Sequence, residues 1–359
     1  MRPPPTVVRR AVIDPVWPVV AISVAVVFLL VAAVSAIAAP LTRRRRLLRL
    51  ALLGALYLAL DAGLVVCCTV LWLRHPISRR RDQARWYRRH HALLRAALAL
   101  LLAAARQLLG FRVEVQEPPD QQRISGRPLL VLARHGGPGD SFALVEMLMS
   151  RYRRRLTIVL TERLRWDPGL DVVLSRLPSC FVRQGHREAI IGRLTRLARD
   201  MDGDDAILLF PEGGNWTPGR HQRVIARLTG AGRRRDAADA ASNPHVLPPH
   251  PAGVLACLAG RRDLNVAVVA HTGLEHLVSP LSIWRALPVR EPMVVRWWYE
   301  LSAALPRGTA RRRSWLRLQW AIVDSWIDAR KAARRQRTGR LAGPVVVPEA
   351  DTRPPEVPA

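Results

Sequence analysis

Two short segments concentrate residues able to move protons or grip an anion. The first reads Leu129-Leu130-Val131-Leu132-Ala133-Arg134-His135-Gly136-Gly137-Pro138-Gly139-Asp140-Ser141. An apolar run ends at Ala133, a loop with three glycines and a proline follows, and a helical pattern opens at Ser141. Such an interval can fold back and set the Asp140 carboxylate on one imidazole nitrogen of His135, leaving the other nitrogen free. A carboxylate so placed fixes the tautomer and stabilises the imidazolium formed when the histidine takes a proton. General-base assistance of this kind is worth roughly 10²–10⁴ in rate. Asp140 also has the chemistry of a helix N-cap, and a histidine in a glycine-rich loop can be purely structural. The glycines do not form a nucleotide loop, because neither G-x-G-x-x-G nor G-x-x-x-x-G-K-[ST] is present.

The second segment, Ala206-Ile207-Leu208-Leu209-Phe210-Pro211-Glu212-Gly213-Gly214-Asn215-Trp216, again runs from an apolar strand into a turn. Strand ends carry binding groups in α/β folds, and Gly213 and Gly214 let a ligand approach the backbone. An ordinary strand-exit turn is the alternative. Between the two segments, Leu177-Pro178-Ser179-Cys180-Phe181-Val182-Arg183 sets an arginine directly after a short strand. Its planar fork could hold a phosphate through two hydrogen bonds, although a chain with 55 arginines keeps most of them as solvated surface. His271 ends another expected strand, as a pocket residue or a satisfied core histidine. Cys67, Cys68, Cys180 and Cys257 give neither zinc-ligand spacing nor a disulfide framework. His186-Arg187-Glu188 lacks the Pro-Cys-x-x-Cys of the zinc deaminases, so no metal set is expected. The absence of Gly-x-Ser-x-Gly counts against a serine nucleophile elbow.

These residues need a scaffold, and the pattern after Gly110 supplies one. Short apolar runs at 111–116, 128–133, 156–160, 179–182, 206–210, 265–270 and 293–299 read as strands. Helical periodicity fits 141–151, 186–199, 220–229 and 313–335. Alternation of this kind predicts an α/β domain over 111–342, with a mixed, largely parallel sheet flanked by helices. Residues 343–359, rich in proline with acidic residues, read as a disordered tail.

The N-terminal part reads as a membrane anchor over 1–78. Residues 16–39 contain no charge and as a helix would be about 36 Å long, enough for a hydrocarbon core of roughly 30 Å. The stretch is too long for a typical cleaved signal peptide and fits an uncleaved signal anchor. A second apolar run, 51–73, carries Asp61. A central aspartate costs roughly 2.5–3.5 kcal/mol, while each Leu or Val returns about 0.3–0.6, so its eight Leu and three Val still favour insertion. Arg43–Arg46 lie between the runs, and Arg74 with Arg79–Arg81 follow the second. Two full crossings would oppose the positive-inside tendency, a conflict that a shallow hairpin, or one span plus an interfacial helix, would relieve. Residues 79–110 read as an amphipathic helix lying in the membrane interface or packed on the globular domain.

Taken in order, the segments resemble the glycerolipid acyltransferase family, whose members acylate lysophosphatidate and related lysolipids. His135 to Asp140 matches its His-x4-Asp motif, Cys180 to Arg183 its second motif, and Phe210 to Gly213 its Phe-Pro-Glu-Gly. Val246-Leu247-Pro248-Pro249, followed by Gly253, stands for its fourth. The resemblance implies that His135 deprotonates the acceptor hydroxyl, that Asp140 orients it, and that Arg183, Glu212, Gly213 and Gly214 hold the acceptor's glycerol-phosphate end. It further implies an acyl thioester donor (acyl-CoA or acyl-carrier protein) as substrate with no resident cofactor, and a lysophospholipid acceptor. The expected setting is the cell membrane, with the catalytic domain facing the cytoplasm. Gly214-Asn215 replaces the family's usual Thr-Arg, His250 stands where an Arg is common, and Arg134 where many members have Asn. Acyl transfer is thus better supported than lysophosphatidate as acceptor, and other lysolipids, or a non-catalytic protein holding anionic lipid, remain alternatives.

A net charge of +28 and a pI near 11.7 would suggest nucleic acid if taken alone. The arginine clusters instead frame apolar segments, and no nucleic-acid module is recognisable. Such a distribution suits an anionic membrane surface and phosphate-bearing substrates.

Overall fold

The fold, taken from a computed structural model, is described for residues 3–42, 45–74, 83–116, 126–137, 139–183, 185–275, 277 and 280–341. The expected strands form with small shifts at their ends: β1 (Val113–Gln116), β2 (Leu129–Ala133), β3 (Arg155–Thr161), β4 (Ser179–Val182), β5 (Asp205–Leu209), β6 (Asn265–Thr272) and β7 (Met293–Glu300). Among the described residues they make one sheet in the order β1-β7-β6-β2-β5-β3-β4. β6, β2, β5, β3 and β4 are mutually parallel, β7 runs antiparallel to β6, and β1 is parallel to β7.

The central strand explains why its sequence is continuously apolar rather than alternating. Every residue of β2 is buried, because a parallel strand inside an α/β fold is covered on both faces. Leu129, Val131 and Ala133 belong to one core, and Leu130 and Leu132 to the other, as the two-residue period of a strand requires. The first core is closed by α3 (Arg46–Leu73), α4 (Gln83–Leu109), α5 (Asp140–Ser150) and α6 (Pro168–Leu174), and the second by α7 (Arg187–Arg199), α10 (Pro251–Gly260) and α12 (Thr309–Leu341). The remaining helices of the domain are α8 (Pro218–Gly230), α9 (Arg234–Ala241) and α11 (Pro280–Ala286). Because five neighbouring strands run the same way, the loops after β2, β3, β4, β5 and β6 share one edge of the sheet, where α/β folds bind ligands.

The helical boundaries differ from expectation in instructive ways. α5 begins at Asp140, and its N-cap is Gly139 in a left-handed conformation (φ 103°). Asp140 is therefore inside the first turn instead of capping it. Thr217 caps α8, its hydroxyl accepting from Arg220 N–H, and α12 extends beyond 313–335 at both ends. The short helices α6, α9, α10 and α11 were not legible. Three of them open with proline, which suits a first helical turn but reads in sequence as a breaker.

At the N-terminus, α1 (Thr6–Val8) leads through a π-helical turn (Arg9–Ile13) into α2 (Asp14–Thr42), and α3 (Arg46–Leu73) follows. Thr6–Ala38, Arg46–Leu73 and Gln83–Leu109 are each long and apolar enough to cross a membrane. α2 leaves Val19, Ile22, Val27, Leu30 and Ile37 exposed, a surface suited to lipid. It packs along α3, where small residues permit close approach: Ala21, Ala25, Ala51 and Ala55 are buried. α3 also rests on α6. There Trp17 donates its indole N–H to Asp61, and an added Cβ on Gly169 would come within 2.7 Å of the Asp61 carbonyl oxygen. The described part of the 79–110 segment is the helix α4. Leu94, Leu98, Leu102 and Ala105 of α4 lie in the first core, so its apolar stripe packs on the globular domain. Arg43, Arg44, Arg79–Arg81 and the proline-rich 343–359 segment lie outside the described residues.

Candidate active site

The loop after β2 folds back as its spacing suggested. His135 Nδ1 lies 3.0 Å from Asp140 Oδ2 and 3.2 Å from Oδ1. Oδ2 also accepts from the backbone N–H groups of Gly136 (2.8 Å) and Gly137 (3.2 Å), while Oδ1 accepts from the Ser141 N–H and hydroxyl. With Asp140 as an acceptor, Nδ1 must carry the proton, which leaves Nε2 as the basic nitrogen. The Asp140 side chain is fully buried, whereas His135 keeps 21% of its side chain exposed. Burial would raise the Asp140 pKa, but hydrogen bonds from His135 and His271 and their favourable charge outweigh it and hold the carboxyl well below its ordinary range.

A second set of buried groups lies behind this pair. Arg134 is fully buried. Its guanidinium donates to the His245 carbonyl through Nε (3.0 Å) and Nη2 (2.8 Å), and through Nη1 to the His271 carbonyl (3.0 Å) and Glu275 Oε1 (2.8 Å). Burial opposes ionisation of Glu275, but the Arg134 charge and the backbone N–H groups of Glu275 and Gly273 bring its pKa down to about 2. The arginine that stands in place of a small amide therefore acts as an internal strut, not as a solvated charge. Sequence spacing could not reveal this, because Glu275 lies 141 positions away.

The Phe210–Trp216 turn adjoins His135. The Phe210 and His135 rings are 4.5 Å apart, and Trp216 N–H donates to the His135 carbonyl (2.6 Å). Gly213 has φ 68°, a conformation glycine adopts without strain, and its N–H closes the turn on the Phe210 carbonyl. Gly214 lies against the Arg220 guanidinium, which a side chain there would displace. Glu212 is turned inward and is 3% exposed. Its oxygens accept from Leu247 N–H (3.3 Å) and the Trp320 indole (3.3 Å), tying this turn to the Val246–Pro249 segment and to α12. Burial pushes its pKa up to about 7, against the pull of Arg134 and these donors.

Arg183 directly follows β4, three strands from β2 in the sheet order, or roughly 14 Å at the usual interstrand spacing. It is 3.7 Å from Glu162. With Arg165, Arg9 and the Pro3–Thr6 segment, these residues line a cleft of about 290 Å³. The involvement of the extreme N-terminus in this cleft had no signal in the sequence. Arg9 arrives there because it pairs with Asp171 of α6, which also holds Arg10 (2.9 Å) and Arg165 (3.1 Å).

A buried carboxylate on a histidine at the ends of parallel strands is an arrangement with the chemistry of a general base. Residues 112–248 match the family model described as Acyltransferase. No curated protein matches the chain. Among solved structures, the 1-acyl-sn-glycerophosphate (LPA) acyltransferase PlsC from Thermotoga maritima is similar at 16% identity with a TM-score of 0.49, over 80% of this chain and 98% of that one.

Proposed function

We propose that the chain is a membrane-bound O-acyltransferase. It would move a fatty acyl group from acyl-CoA or acyl-carrier protein to the hydroxyl of a lysophospholipid, above all 1-acyl-sn-glycerol-3-phosphate, giving phosphatidate and the free thiol. The observation that carries the reading is His135, tied through Nδ1 to Asp140 at 3.0 Å with a partly exposed ring. Nε2 takes the proton of the acceptor hydroxyl as its oxygen attacks the thioester carbonyl. Collapse of the tetrahedral intermediate breaks the C–S bond, and the imidazolium returns its proton to the departing thiolate. Asp140 stabilises the imidazolium between these steps.

The arginine-lined cleft at Arg183 supports an anionic headgroup, since a guanidinium fork matches phosphate geometry. The Gly213-Gly214 turn beside His135 supports an acceptor backbone lying close to the main chain. Glu212 supports the turn from beneath. The apolar surface of α2 supports residence in the cell membrane. Arg9 and Arg10, joined to the catalytic domain through Asp171, support a cytoplasmic face for that domain under the positive-inside tendency.

The test is acyl transfer by the full chain in vesicles, with acyl-CoA or acyl-carrier protein as donor and a panel of lysolipid acceptors. The expected result is preferred acylation of lysophosphatidate, lost by at least about 10²-fold in His135→Ala. Equal activity in His135→Ala would remove His135 from the reaction. Preference for a zwitterionic lysolipid would displace lysophosphatidate as the acceptor.

A further inference from the structure

We infer that His271 is a positioning residue of the same centre: its Nε2–H holds Asp140 from behind so that the carboxylate stays aimed at His135. The inference rests on the general-base reading of His135 given above. His271, near the end of β6, is fully buried. Its Nε2 lies 2.9 Å from the Arg134 carbonyl oxygen and 3.4 Å from Asp140 Oδ2. A carbonyl can only accept, so Nε2 carries the proton and donates it to Arg134, while the same N–H lies 3.4 Å from Asp140 Oδ2 and attracts that carboxylate electrostatically. Nδ1 is buried without a hydrogen-bond partner among the described residues. The neutral ring therefore leaves one acceptor unmet, whereas the charged ring would strand a donor.

The catalytic loop is shaped around this imidazole. Arg134 N–H donates to the Val269 carbonyl at 3.1 Å, and Arg134 Nη1 returns a bond to the His271 carbonyl at 3.0 Å. The residue before His135 is thus joined to the end of β6 on both backbone and side chain. An added Cβ on Gly136 would run into Arg134 Nη1 and fall 3.0 Å from His271 Cε1, so the glycine after His135 makes room for the Arg134 guanidinium and for the second ring together. Without the Nε2–H, Asp140 keeps its loop donors, but Oδ2 loses the positive end of one neighbouring dipole and the carboxylate is aimed at His135 less tightly.

The experiment uses the full chain as wild type, His271→Leu, His271→Asn, His271→Gln and His135→Ala. Glutamine can place an N–H near the position of Nε2, whereas asparagine is polar but too short to reach. For His271→Leu and His271→Asn, the expected result is an approximately ten-fold loss of kcat, the scale of one hydrogen bond to a charged group, with unchanged acceptor KM. His271→Gln recovers most of the rate. Ring ¹⁵N shifts of His135, identified by their loss in His135→Ala, report a single tautomer in wild type and His271→Gln and a mixture in the other two. Unchanged kcat and ¹⁵N shifts in the leucine and asparagine variants would overturn the inference. Equal impairment of all three variants would do the same, reducing His271 to packing. If wild type transfers no acyl group, the general-base reading of the acceptor chemistry fails, and the ¹⁵N shifts still decide the role of His271.

Discussion

Asp140 is the single residue on which the geometry of the His135 loop converges. Its two oxygens accept from His135, two glycine N–H groups and both donors of Ser141. Asp140→Asn presents an NH₂ where donors already point, so one side of that set is unmet and the His135 tautomer is no longer imposed. The expected outcome is a loss of roughly 10²–10⁴ in kcat, measured by acyl transfer, with acceptor KM little changed. The sign of its pH linkage also follows. Because the native pKa is depressed, the contribution of Asp140 to stability is present above about pH 4 and is lost as pH falls below it. Glu212 behaves oppositely. Its pKa rises from 4.5 to about 7 on folding, so the native state keeps a proton that the unfolded chain releases across that window. Stability should therefore fall as pH rises from 4.5 to 7, by about 3 kcal/mol at most. Thermal midpoints across this range should show a flatter profile in Glu212→Gln than in wild type. An identical slope in the two proteins would mean that Glu212 is ionised throughout.

At the scale of elements, legibility followed sequence distance. The strands could be read because each is an apolar run bounded by turn residues, and the His135–Asp140 pair because both partners share one loop. Their order in the sheet could not be read, since the pairing of β2 with β6 brings together residues 136 positions apart. The contacts of Arg134 and His271 depend on that pairing, so they were invisible for the same reason. The junction of α3 with α6 was equally hidden, although Gly169 marks it. Gly169→Ala would drive a methyl into the Asp61 backbone, and overpacking of this kind costs about 1–3 kcal/mol. Gly192, inside α7 with open space around its Cβ position, is the matched control: Gly192→Ala should stabilise by up to about 1 kcal/mol through helix propensity. Thermal unfolding of the two variants should move in opposite directions. A stabilised Gly169→Ala would show that α3 does not press on α6.

For the whole molecule, the surplus of arginine turns out to have two different uses. Arg9, Arg134 and Arg154 are buried and serve internal joints, while the proposed function sets exposed arginines against an anionic leaflet. The joint at Asp171 fastens the N-terminal segment to the catalytic domain. Asp171 is 1% exposed in its side chain and faces Arg9, Arg10 and Arg165. Removing the one carboxylate leaves three guanidinium groups without their shared partner, so Asp171→Ala should destabilise by about 3–5 kcal/mol. Arg9→Met should cost less, because Arg10 and Arg165 still compensate the buried carboxylate. In Asp171→Ala the bonds at Arg9 and Arg10 should also become accessible to trypsin while the variant remains in the membrane fraction. On the proposed function, membrane residence rests on the apolar surface of α2 and not on this charge cluster. A wash at about 1 M salt, where the screening length is only about 3 Å, should release neither wild type nor the variant. Release of wild type by salt would mean that arginines alone hold the protein on the bilayer and that α2 does not enter it. Retention of both, with trypsin sensitivity only in Asp171→Ala, separates the anchor from the joint that docks it on the α/β domain.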